Sequence, residues 1–169
     1  DAVIEEVKLK SPDLNSSLFD EIAIAALKFA ILRVASGKNM NFDPDISLSF
    51  EGDSGPYLQY TAVRAGSVLE KAGTYSISSK YKNDTITDLE RSIVHYKNVL
   101  DTSIRTWSPH HVAIYLLSLA QEFNSWYAAT RILDTENENM PYNLALTQAT
   151  QTVLTNGLTV LGIKVPMKM

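Results

Sequence analysis

The chain has 169 residues, 45% hydrophobic and 20% charged, with no cysteine and a formal net charge of −4. These values exclude wholesale disorder, collagen-like and mucin-like chains, disulfide scaffolds, cysteine-based metal centres and cysteine nucleophiles, and they show no global basicity of the kind that advertises nucleic acid. The length suits one domain with its own core. The greasiest stretch, Ile22 to Leu32, is broken by Lys28 and falls short of the roughly 20 apolar residues a membrane span requires. The first residues, DAVIEEVKLK, lack a starting Met and a secretory pattern and read as half a helix, as expected of a piece of a longer chain.

Helical periodicity then dominates. Ser17 is placed to cap a first helix, with Asp20 and Glu21 in its first turn. Leu18, Ile22, Ala25, Phe29 and Leu32 follow at three- and four-residue steps to Gly37. Ile24, Leu27 and Ile31 fill the other sides, so burial nearly all round is expected. In the segment 41–50, Pro44 and the alternation of Ile46, Leu48 and Phe50 predict a short extended piece. After the turn-rich EGDSGP, Pro56 opens a second helix with the stripe Leu58, Ala62, Ala65 and Leu69, ending at Gly73. Thr87 and Glu90 form a T-x-x-E capping box for a third, with Leu89, Ile93, Tyr96 and Leu100 inward. Ser108-Pro109 reads as cap and first position of a fourth, striped by Val112, Tyr115, Leu116, Leu119, Phe123, Trp126 and Tyr127. Pro141 opens a fifth, carrying Leu146, Ala149, Val153, Leu154, Leu158 and Leu161 to a stop at Gly162. The expected class is all-α, a helical bundle with a short extended segment near 41–50.

Charge is uneven: residues 1–60 are net −5, whereas 61–133, with eight basic and six acidic residues, are net +2. Within 71–82, Lys71, Lys80 and Lys82 alternate with Tyr75 and Tyr81, a pattern that suits phosphates and bases but also an ordinary Ser-rich surface linker. GDSGP at 52–56 has the look of a serine-protease nucleophile loop, yet every histidine (His95, His110, His111) follows Ser54 and the surroundings are helical, so a turn opening a helix is expected. His110 and His111 are neighbours about 100° apart on a helix and cannot chelate one metal as an i,i+4 pair does. Asp43, Asp45, Glu51 and Asp53 lack calcium-loop spacing and read as solvated turns. Tyr60 and Arg64 share a helix face at i,i+4, a geometry for base stacking and phosphate contact or for amphipathic packing with a snorkelling arginine; Tyr127 and Arg131 repeat it.

The segment SFEGDSGPYLQYTAVRAGSVLEKAG at 49–73 resembles the arginyl-tRNA synthetase family, which carries an EGxSGPYLQYxxxR segment at the entry to its C-terminal helical domain. HVAIYLLSLAQEFNSWYAATRIL at 111–133 is similar to the family's YLxxLAxxFxxFYxxxRVL helix, and the closing LGIKVPMKM to its terminal LGIxxPxxM signature. One departure is Asn143-Leu144, where many members have Arg-Leu. The resemblance implies that residues 1–54 are the end of the catalytic region and a connecting helix, with 1–12 soon after a KMSK-like loop. It implies that 55–169 form the anticodon-binding bundle called the DALR domain. The HIGH and KMSK-like signatures are absent from these 169 residues, so catalytic residues, metal and cofactor are expected to be none here, with ATP belonging to the parent enzyme. The implied partners are the anticodon loop of arginine tRNA and the parent's catalytic domain, in a cytoplasmic, monomeric protein. Tyr60 and Arg64 are implied on the anticodon-contact helix, Tyr127 and Arg131 on the facing one, with Met169 closing the site. The competing readings are a helical protein-interaction domain without RNA, and the anticodon domain of cysteinyl- or glycyl-tRNA synthetase.

Overall fold

A computed structural model describes residues 16–40, 42–74, 76–78, 80 and 86–169; DAVIEEVKLK, Tyr75, Tyr81 and Lys82 lie outside these. Six helices are present among the described residues: α1 (Ser16–Leu32), α2 (Pro44–Ser47), α3 (Gly55–Ala72), α4 (Asp88–Thr106), α5 (His110–Ala129) and α6 (Met140–Val160).

The long helices start and stop for local reasons. Ser54 caps α3 by accepting from the Tyr57 N–H, and its own hydroxyl donates to the Ser49 carbonyl. GDSGP is therefore a helix-opening turn whose serine is buried. Thr87 accepts from the Glu90 N–H while the Glu90 carboxylate takes the Thr87 N–H at 2.6 Å, the expected reciprocal box. The same carboxylate accepts from the Tyr142 hydroxyl of α6. Burial pushes the Glu90 carboxyl up, and the bonds from Tyr142 and Thr87, with the Arg91 charge, outweigh it and leave it below the ordinary carboxylate value. Gly73 and Gly162 end α3 and α6 at φ of +61° and +69°.

The core joins α3, α5 and α6, with α4 laid against α5 and α1 against α3. Leu58, Ala62 and Ala65 of α3 meet Val112, Leu116, Leu119 and Phe123 of α5, Leu154 and Leu158 of α6, and Ala25 and Phe29 of α1. Gly55 allows α1 and α3 to touch: a Cβ there would overlap the Ala25 carbonyl, with the Ala25 carbonyl carbon only 2.7 Å away. A second cluster unites Phe19, Ile22, Ala26 and Leu48 with Phe50 and Met169, and a third unites Val68, Ile132, Met140 and Leu144.

The all-α class holds, and four local expectations are corrected. The segment 41–50 is not extended at its centre. Asp43 accepts from the Asp45 and Ile46 N–H groups at 2.9 and 3.3 Å, Pro44 takes the first turn, and a helical turn forms. Helix α1 is not buried all round: Ile24, Leu27 and Ile31 are 50%, 44% and 48% exposed, because its packed neighbours α2, α3 and α5 cover the opposite side. Ser108 does not cap α5. Its hydroxyl donates back to the Thr106 carbonyl, and Trp107 turns the chain in the left-handed region at φ +53°. Helix α5 ends at Ala129 with Thr130 extended, so Tyr127 and Arg131 lack the shared helix face expected of them.

Candidate nucleic-acid interface

The cap at Ser54 sets the phase of α3 and so places Tyr60 and Arg64 one turn apart on its outer side, both partly exposed. The Arg64 guanidinium carbon lies 4.6 Å from the centre of the Tyr60 ring and 5.4 Å from that of Tyr127, across on α5. Both distances are within cation–π range. Arg64 donates to Asn124 Oδ1 at 2.7 Å. The other end of that amide donates to the Tyr57 hydroxyl at 2.9 Å and to Thr61 Oγ1 at 3.0 Å. A guanidinium offers only donors, so the amide oxygen must face it, and the amide nitrogen then finds two hydroxyl acceptors on α3. The Thr61 hydroxyl spends its own hydrogen on the Tyr57 carbonyl and is left to accept. Each ring is backed by another: the Tyr60 centre lies 6.4 Å from that of Phe50, edge-on, and the Tyr127 centre 6.0 Å from that of Phe123.

The result is a planar cation set against two aromatic rings, with Tyr127 37% exposed and Arg64 half-buried. Such a site suits a flat heterocycle beside a phosphate. Tyr60, Arg64 and Tyr127 are thus brought together. Arg131 is exposed beyond the end of α5. Met169 packs with the cluster that holds Phe50, so the last residue reaches the Tyr60 neighbourhood through that ring. The tail leading to it is pinned by Gln59, fully buried on α3, whose amide donates to the Lys164 carbonyl at 2.7 Å.

Asn124, Tyr57 and Phe50 were not foreseen as members of the site. Asn124 carried a signal: it stands four residues after Ala120 and eight after Leu116, a polar group at the margin of an apolar stripe. His110 and His111 rest ring on ring at 4.1 Å, Asp43 caps α2, and Asp53 meets Arg33 at 3.8 Å, where the guanidinium also donates to its carbonyl. Among the described residues no group of three or more His, Asp or Glu is placed to hold a metal, and no helix is long and apolar enough to cross a membrane.

Comparison with known proteins gives a consistent neighbourhood. The family model described as the DALR anticodon binding domain matches residues 58–169. Arginine–tRNA ligases of Streptococcus pneumoniae, strains G54 and Taiwan19F-14 among them, are 35% identical over 97% of this chain. The chain spans 30% of the length of those relatives. Among solved structures, the arginyl-tRNA synthetase of Thermus thermophilus superposes with a TM-score of 0.82 at 30% identity, covering 100% of this chain and 32% of that one. The Plasmodium falciparum arginyl-tRNA synthetase shares the fold at a TM-score of 0.78 and 20% identity, over 99% of this chain and 31% of its own.

Proposed function

The chain belongs to the DALR anticodon binding domain family, and from that premise we propose that it binds the anticodon loop of arginine tRNA as part of an arginine–tRNA ligase. The carrying observation is the Arg64 guanidinium held between the rings of Tyr60 and Tyr127. Loop bases unstack easily and can settle on an aromatic face, while a fixed guanidinium meets a phosphate or a base edge. Arg131 adds positive charge beside the site, and Met169 closes it from the Phe50 side. In this reading residues 1–54 join the bundle at 55–169 to a catalytic domain that activates arginine with ATP and passes it to the tRNA. The protein acts in the cytoplasm as a monomer. The chain by itself makes no arginyl-adenylate.

The test is binding of arginine tRNA over a series of salt concentrations. Affinity is expected to fall linearly on logarithmic axes as salt rises, because phosphate contacts release counterions. Tyr60→Ala is expected to weaken binding roughly tenfold through loss of a stacked base while leaving the melting temperature nearly unchanged. Salt-independent binding, or equal binding of tRNAs for other amino acids, overturns the reading; early melting of Tyr60→Ala with normal binding returns Tyr60 to a packing role.

A further inference from the structure

On the other flank of the exposed ridge of α3 lies a cavity of about 350 Å³, bounded by Val63, Gly66, Ser67 and Glu70 of α3, by Gln151 and Thr155 of α6, and by the tail segment Val165–Met167. Its floor exists because residue 66 has no side chain. A Cβ there would stand 2.6 Å from Gln151 Nε2, so the Gln151 amide lies over the glycine. The half-buried Gln151 side chain makes no hydrogen bond to another described residue, so its amide donor and acceptor are both left for a ligand. The charge lining the cavity is the Glu70 carboxylate, with no lysine or arginine among the lining residues, so the cavity repels a phosphate and accepts a neutral polar heterocycle. Met167, 96% exposed, forms a soft apolar lip.

Resting on the anticodon-loop reading, we propose that this cavity is a second base subsite, in which Gln151 reads a loop nucleotide that flanks the one stacked at Tyr60 and Arg64. Position on α3 supports the pairing. Val63 and Ser67 lie three and seven residues after Tyr60, so the two sites flank one outward ridge, about 5–10 Å apart along the axis at about 1.5 Å per residue. Two consecutive splayed nucleotides straddle such a ridge while their linking phosphate passes over it near Arg64. An amide presents one donor beside one acceptor, which pairs with an edge of a splayed base that offers the complement, such as the amino group and ring nitrogen of adenine or cytosine. Gln151 is then a specificity-determining residue, and Gly66 keeps its amide in place.

The experiment uses the full-length protein and a set of arginine tRNAs in which each anticodon-loop base in turn is replaced by an abasic site. Wild-type protein is expected to lose about tenfold in affinity at the base that Gln151 reads. Gln151→Ala is expected to bind unmodified tRNA about tenfold more weakly, and to lose nothing further at that one abasic position while keeping the full loss at the base stacked on Tyr60. Gly66→Ala should behave as Gln151→Ala does: the added methyl displaces only the end of a flexible side chain, and a helical alanine supports the fold. Its melting temperature should equal or exceed that of the wild type. Losses of Gln151→Ala and Gly66→Ala that add to those of every abasic position, or variants that bind as wild type does, overturn the subsite and leave the Tyr60 site standing. Failure of the wild-type protein to bind the unmodified tRNA overturns both.

Discussion

Arg64 shows how one neutral residue governs a charged one. Its guanidinium is steered by Asn124, and Asn124 is steered in turn by Tyr57 and Thr61, so the cation is positioned before any ligand arrives. The two links separate in experiment. Arg64→Ala removes the charge and is expected to lower the slope of log affinity against log salt by about one unit. Asn124→Ala keeps the charge and loses its anchor, so affinity should fall several-fold at an unchanged slope; salt titration of both variants decides it. A second residue-scale test concerns pH. Tyr115 donates to the Ser92 carbonyl at 2.8 Å, and burial, reinforced by Tyr96 and Glu122, raises its hydroxyl well above the ordinary 10.0. The folded state favours the neutral phenol, so this contribution is complete below pH 10 and is lost as pH climbs from there toward the folded value. Tyr115→Phe has no such proton to lose. Its stability in denaturant titrations should fall less than that of the wild type between pH 10 and pH 12.

At the scale of the helix, what was legible in the sequence was what neighbouring residues decide among themselves. The Thr87–Glu90 box, the Pro56 and Pro141 starts and the Gly73 and Gly162 stops depend on bonds within a few positions, and all were visible in the chain. The alternation of Ile46, Leu48 and Phe50 imitated a strand because Asp43-Pro44 can start a turn of helix just as well, and one turn buries Leu48 while leaving Ile46 outside. The apolar side of α1 was misjudged for a different reason. How much of Ile24, Leu27 and Ile31 is covered depends on which helices pack beside α1, and composition is silent on that. Tyr60 with Arg64 was readable as an i,i+4 pair, whereas Asn124 joined them only through the α3–α5 packing. Helix contact also carries a prediction. Gly55→Ala forces a methyl group into the Ala25 carbonyl, a backbone atom that cannot rotate away. The expected loss is on the order of 2–3 kcal/mol in chemical denaturation, as for other overpacked sites. Gly66→Ala, where a side-chain end yields, should show none.

For the molecule as a whole, a net charge of −4 is compatible with the proposed polyanion site because the acid is concentrated outside the middle of the chain, which is net positive from 61 to 133. The site also draws on parts far apart in the sequence. Asn124 and Tyr57 are 67 positions apart and Gln59 and Lys164 are 105, whereas α4 and α5 are joined by the short turn at Trp107–Pro109. Chain closure over such spans is entropically slower than forming an adjacent hairpin. Pulsed hydrogen exchange during refolding should therefore protect amides of α4 and α5 first and those of α3 and α6 later, and simultaneous protection of all four helices counts against that order. The pin from Gln59 to Lys164 then has a kinetic meaning. It spans the longer of the two loops and draws the tail against α3, so on the proposed reading competence to bind arrives with that late closure. If the anticodon-loop reading holds, a refolding chain can be nearly all helix by circular dichroism and still be blind to RNA.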